Sequence, residues 1–288
     1  MVTLDYGRNP VHGALDRNQI ALCAFGRVFT QGPGSSYNLS AGAKGSDDKR
    51  LRAFCGHDSL GQNVVVADAR DQLPAVGTLL AWNPREDYQV AVSRAAAYPG
   101  VSHTRGVALT EGLVLVLDRI ESEEDHTYDF VYHNFGKLTP GEGWGGTPEE
   151  RPLAQTALYD KVVDLKRLAG TGPVQLTWDL SDESAARSKT NGPMALVLRQ
   201  LPVPGGELYT CLTGLNNPNT HECPSAVPSL LHRVKGKSAE FATVLEPCRG
   251  ASRVQSVAPR PGGGMVVTLS DGRRIEASLE QWIASAPK

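Results

Sequence analysis

The sequence predicts an all-β fold, a large two-sheet antiparallel β-sandwich with few or no long helices. Three observations predict it. The 288 residues include 30 glycines and 19 prolines, which cut the chain into many short apolar runs. Those runs are β-like and are joined by residues that tolerate turns. Long amphipathic helices are nearly absent.

The first clear strand is QIALCAF (19–25), followed at Gly26 by a turn into Arg27-Val28. QNVVVADA (62–69), YQVAVSRAA (88–96), RGVALT (105–110) and GLVLVLDRIES (112–122) come next, with Glu111-Gly112 as a tight turn between the last two. HTYDFVYHNF (126–135) alternates, placing Tyr128, Phe130 and Tyr132 on one face and Asp129, Val131 and His133 on the other. The aromatic face is expected in the core. LTPGEGWGGTPEERP (138–152) reads as a long surface excursion and the best internal seam. ALYDKVVDLKRLAG (157–170) fits either a helix or a strand.

A second set of strands follows: VQLTWDL (174–180), MALVLRQLPV (194–203), ELYTCLTGL (207–215), SLLHRVK (229–235), AEFATVLEP (239–247) and RVQSVAP (253–259). Gly236 is expected to turn the chain between SLLHRVK and AEFATVLEP, and Asp271-Gly272 to close a terminal hairpin over 265–279 ahead of a short tail or helical turn. With no second composition class and no internal repeat, one two-sheet unit over 1–288 is the economical reading.

Charge narrows the partners. The 29 basic and 31 acidic residues give a net charge of -2, without a basic run that would mark a nucleic-acid or polybasic membrane surface. Met1 is followed by VTLDYGRNP, which lacks the layout of a signal peptide, and no run is long enough to cross a bilayer as a helix. Five cysteines form no CxxC pair. Free thiols are expected, with Cys23 and Cys211 as packing residues and a local Cys211–Cys223 disulfide as the alternative. Signatures of other enzymes, such as G-x-S-x-G, the P-loop, the dinucleotide fingerprint and H-E-x-x-H, are missing from the sequence.

Four stretches carry a family resemblance: LDYGRNPVHGALDRNQIALCAFGR, SLGQNVVVADARDQLPAVGTLL, HTRGVALTEGLVLVLDRIESEEDHTYDFVYHNFG and AEFATVLEP. In order and spacing they resemble the C-terminal β-sandwich of the heparinase II/III-like polysaccharide lyases, which include alginate lyase groups. That family joins the sandwich to a helical toroid, and no toroid is visible in this sequence. The resemblance implies β-elimination at a uronic acid, with an acidic polysaccharide as partner and a helical domain or subunit completing the cleft. The alternative is a carbohydrate-binding or structural module without catalysis.

The resemblance also assigns residues. His12 matches the first histidine of the family's His-Gly-His and is implied as a donor or acid/base near the uronate; otherwise it is an ordinary loop histidine. Arg17 could hold a uronate carboxylate and Asp16 could border it, although an Asp16–Arg17 loop anchor is the simpler role. Tyr37, in GPGSSYN, could stack on a sugar or simply pack in its loop. The family's zinc ligands correspond to Ala14, Gln31 (or Gly32) and Gln62, a set that zinc does not favour, so no metal and no other cofactor are expected. Gln62 is expected to bond to backbone in the metal's place. His103, His126 and His133 are expected in structural hydrogen bonds. The His221-Glu222-Cys223 run has poor geometry for a metal.

Overall fold

The computed structural model describes residues 1–7, 15–30, 58–181, 193–213 and 227–285. The strands, in chain order, are β1 (Val2–Asp5), β2 (Gln19–Ala24), β3 (Arg27–Thr30), β4 (Val65–Ala67), β5 (Thr78–Pro84) and β6 (Tyr88–Tyr98). Then come β7 (Val101–Thr110), β8 (Leu113–His133), β9 (Lys137–Pro140), β10 (Gly145–Pro148), β11 (Val163–Ala169) and β12 (Val174–Asp179). The series closes with β13 (Ala195–Gln200), β14 (Glu207–Thr213), β15 (Val227–Cys248), β16 (Val254–Pro259), β17 (Met265–Leu269), β18 (Arg274–Ala277) and one helix, α1 (Leu279–Ala284). This is the all-β, sandwich-like fold that the sequence predicts.

Two long antiparallel strands organise it. β8 has 21 residues and β15 has 22, and they pair along almost their whole lengths at the centre of a 12-stranded sheet. The path β10-β11-β14-β15-β8-β7-β6-β5 carries branches through β4, β9, β12 and β13, while β1-β2-β3 and β16-β17-β18 form two small sheets. The runs 112–122 and 126–135 are therefore one strand, as are 229–235 and 239–247. Gly236 does not turn the chain: it pairs with His126, and Ser238 pairs with Glu121, leaving residues 122–125 opposite a single residue in a wide bulge. The polar stretch ESEED crosses solvent between two buried ends of β8, which is why it resembles a loop in sequence.

Tyr128, Phe130 and Tyr132 lie in one core with Trp178, and Val131 faces another with Leu60, Tyr159 and Leu231. Both faces of this strand end are buried, as expected of a strand in the middle of a layered fold. A third core joins Val92, Leu115 and Val244 to α1 through Trp282. Ser278 caps α1 by accepting from the Gln281 amide at 3.2 Å. Trp282 lies so close to Gly106 that a Cβ there would come within 2.6 Å of its ring, so the helix needs glycine at that point of β7.

The 138–152 excursion is corrected to two edge strands, β9 and β10, paired with β12 and β11. They are short and largely exposed, which conceals their pairing in a sequence rich in glycine and proline. Residues 157–170 resolve into a 3-10 turn at Tyr159–Lys161 followed by β11. The terminal hairpin and helical turn are as expected. Cys211 is a free, buried thiol and Cys23 a free, half-buried one; Cys223 lies outside the described residues. No helix among the described residues is long and apolar enough to cross a membrane.

Candidate functional site

The segment Leu15–Asn18 leads into β2 and carries Asp16 and Arg17. Its placement is set by polar groups reaching from four other elements. Ser59 donates to the Leu15 carbonyl at 2.6 Å, and Gln72 brackets Arg17, accepting from its amide at 2.6 Å and donating to its carbonyl at 3.1 Å. Asn18 adopts the left-handed conformation (φ 65), which asparagine tolerates better than most residues. Its side chain donates to the His103 carbonyl at 3.0 Å and accepts from Ser93 at 2.6 Å.

Beneath this segment lies a fully buried ion pair. Arg105 on β7 and Asp118 on β8 are register partners, and the guanidinium grips both carboxylate oxygens, at 2.6 and 3.1 Å. Its Nη1 donates to the carbonyls of Asn18 at 2.7 Å and Asn63 at 2.6 Å. A buried charge is tolerated when paired and hydrogen-bonded in this way. Burial pushes the Asp118 carboxyl up, but Arg105 and His103 outweigh it and hold it below its usual value. Burial also lowers His103 below its ordinary value, so the neutral imidazole donates from Nε2 to Asp118 at 2.6 Å.

Asn63 extends the network. It donates to the Ile20 carbonyl at 3.0 Å and to Thr30 Oγ1 at 2.6 Å, and accepts from the His133 amide at 2.7 Å. One asparagine thereby ties β2, β3 and β8 together.

Asp16 and Arg17 are adjacent and largely enclosed. Arg17 donates from Nη1 to Asp5 Oδ1 at 2.9 Å and to the Gly7 carbonyl, and from Nη2 to Asp16 Oδ1 at 2.6 Å. With 2% of its surface exposed, it has the arrangement of a loop anchor. Burial and the neighbouring Asp5 carboxylate push the Asp16 carboxyl up to about 6, against the pull of Arg17. Asp16 therefore exchanges its proton near neutrality, beside the sequence that contains His12. His12, Ala14, Gln31 and Tyr37 lie outside the described residues.

Two hydrogen bonds tie residues that flank the positions the resemblance aligns with the family's zinc ligands. Leu15, beside Ala14, is tied to Ser59; Thr30, beside Gln31, is tied to Asn63, which follows Gln62. A zinc ion does not fit the set, because alanine has no donor and glutamine offers only a neutral amide. The expectation that Gln62 bonds to backbone is corrected: Oε1 and Nε2 are buried without a partner among the described residues. The tie between strands passes instead through Asn63.

His126 and His133 sit in structural bonds, as expected. His126 contacts Asp68 at 2.6 Å and His133 Nδ1 contacts Asn63 Oδ1 at 3.1 Å. The Arg105–Asp118 pair is the feature that sequence reasoning missed. Its signal was present as a charge embedded in LVLVLD and an opposite charge in RGVALT, but the register that joins them is not readable from either run.

No protein-family model and no curated protein matches the sequence. Among solved structures, a heparinase III superposes with a TM-score of 0.66 at 10% identity, covering 96% of this chain and 39% of that one. The heparan sulfate lyase of Pedobacter heparinus superposes with a TM-score of 0.60 at 13% identity, with the same coverages. A further heparinase III structure has a TM-score of 0.58 at 14% identity, covering 92% of this chain and 35% of that one. The fold is thus related to part of the heparinase III fold, and the chain spans about two fifths of the length of these neighbours.

Proposed function

We propose that this chain is the β-sandwich portion of a heparinase II/III-like polysaccharide lyase, which follows a helical toroid and acts on a uronic-acid-containing polysaccharide by β-elimination. The observation that carries the reading is the shared fold with heparinase III over 96% of the chain. It is joined by the His12-Gly13 motif only two residues before the anchored segment Leu15–Asn18.

In this reading a base removes the C5 proton of the uronate, the C4–C5 double bond forms, and the 4-O oxygen leaves with a proton. The C5 proton is weakly acidic while the carboxylate is charged, so donors must neutralise that group as negative charge builds. His12 supplies a donor or acid/base from the sandwich side. Asp16 borders the substrate, Arg17 holds the loop from beneath, and Tyr37 offers a phenol or a stacking face. The Arg105–Asp118 pair keeps this edge in place, and a helical domain or subunit supplies the opposite wall. The sandwich contributes this part without metal or other cofactor.

A second reading is a non-catalytic carbohydrate-binding or structural module: Arg17, the candidate cation for the uronate carboxylate, is buried and committed to Asp5, Asp16 and the Gly7 carbonyl, which takes it out of a catalytic role. Incubation with heparan sulfate, alginate, hyaluronan and pectate separates the two through ultraviolet absorption of an unsaturated uronyl product. Product that His12→Ala abolishes establishes the lyase, whereas saccharide binding without product, both alone and with the helical part of a heparinase III added, establishes the module.

A further inference from the structure

The β2–β3 hairpin turns through Phe25 (φ 53) and Gly26 (φ 75), both left-handed. Glycine suits its position, but a bulky aromatic is an unusual choice for the first one, where asparagine is favoured. Phe25 is also 40% exposed. One edge leans on buried Phe29, with ring centroids 6.4 Å apart, and the guanidinium of Arg249 lies 4.9 Å from its centroid. Arg249 is exposed on the loop after β15 and makes no ion pair with a described residue.

These two residues border a cleft of about 470 Å³ whose lining includes Gly112, Pro247, Cys248 and Arg253 and, among the described residues, no aspartate or glutamate. Arg253 donates from Nη2 to the Glu111 carbonyl and its Nε lies 3.9 Å from Glu246 Oε1, but Glu246 also takes Arg199 at 3.4 Å and so offsets the charge of Arg253 only in part. The cleft is therefore cationic, with one arginine held in place by an aromatic ring. That arrangement leaves guanidinium donors available for the oxygens of a carboxylate or sulfate.

We propose that Phe25, Arg249 and Arg253 form a binding site for an anionic sugar unit, sulfated or carboxylated, of an acidic polysaccharide. The proposal rests on the acidic polysaccharide of the lyase reading. β2 separates this cleft from the Asp16–Asn18 segment by roughly 20 Å, from its length at the usual rise per residue. A polymer, unlike a single sugar, can engage both ends and gain from the raised effective concentration of the second contact.

The test is calorimetric titration of the purified chain with a heparan sulfate octasaccharide and, separately, with sodium sulfate. Arg249→Ala is expected to weaken octasaccharide binding roughly tenfold, the scale of one lost charge contact. Phe25→Asn suits the left-handed turn and keeps the fold, yet removes the surface that orients Arg249; it is expected to weaken binding roughly threefold or more. Sulfate bound as tightly as the octasaccharide would reassign the cleft to small anions and overturn the proposal. Unchanged affinity in both variants would also overturn it while leaving the lyase reading intact. Failure of the unaltered chain to bind the octasaccharide would overturn the proposal but not the lyase reading, whose cleft is completed by a helical domain.

Discussion

β8 carries two buried aspartates, each gripped by an arginine directly opposite on a neighbouring strand, and the two pairs hold different cargo. Asp118 pairs with Arg105 of β7, and the spare donors of that guanidinium hold the carbonyls of Asn18 and Asn63. Asp129 pairs with Arg233 of β15 through two bonds of 2.7 Å, and that guanidinium reaches the Leu153 carbonyl while Tyr159 donates to the carboxylate. The chemistry is the same, but one pair fixes the segment with Asp16 and Arg17 and the other fixes the link before β11. The comparison teaches that a charged pair inside this sheet serves as a clamp for irregular backbone, and that only the first clamp bears on the candidate site.

Breaking the clamps has the largest expected effect. Asp118→Asn leaves Arg105 without a counter-charge in a site with 0% exposure, and should cost about 3–5 kcal/mol in urea denaturation. Asp129→Asn should cost somewhat less, on the order of 3 kcal/mol, because the Arg233 side chain keeps 10% exposure and can turn toward water. Saccharide binding sharpens the contrast: at a temperature where both variants stay folded, only Asp118→Asn should weaken it.

Acid separates the regions next. Burial holds His133 down to about 3 and His232 down to about 4, and lowers His103 as well. Their unfolded forms bind protons first, so stability is complete above the ordinary histidine value and falls as pH drops through about 6.5 toward the depressed values. Each histidine contributes a slope of about 1.4 kcal/mol per pH unit in that window. Asp16 acts in the opposite sense. Its raised value means that the folded protein takes up a proton first, so that contribution is present at low pH and lost as pH rises through about 6. Asp16→Asn should therefore steepen the acid decline between about pH 6 and 4 by close to one proton, and His133→Gln should flatten it, as measured by urea titrations across pH.

Arg17→Ala should cost about 2 kcal/mol, because it frees the Gly7 carbonyl and Asp16, while the Asp5 contact contributes little at 50% exposure. Gln62→Met gives the smallest effect. Removing a buried amide with no partner among the described residues in favour of an apolar chain of similar size should be neutral or stabilising by about 1 kcal/mol in thermal unfolding. A clear loss of stability would restore Gln62 as a strand tie.

The same residues show what was legible in the sequence. Alternation in HTYDFVYH is visible in the chain, and so was its aromatic core. The continuity of β8 and β15 was hidden because their polar middles cross solvent and pair with one another. Asp16 and Arg17 could be singled out together because they are adjacent, and the anchor reading was already available. The clamps were not legible, since Arg105–Asp118 and Arg233–Asp129 arise from register, which a single strand does not encode. Asn63 escaped notice for a related reason: its three partners lie on β2, β3 and β8.

The central claim is that this sandwich forms one wall of a uronate lyase site. Its most direct test follows the unsaturated uronyl chromophore when heparan sulfate or another uronate polymer is incubated with the chain, alone and supplemented with the helical part of a heparinase III. The account predicts a rise in absorbance that depends on this chain, disappears in His12→Ala and survives in Gln62→Met. No rise with any uronate polymer under either condition, or a rise that His12→Ala leaves unchanged, would contradict it.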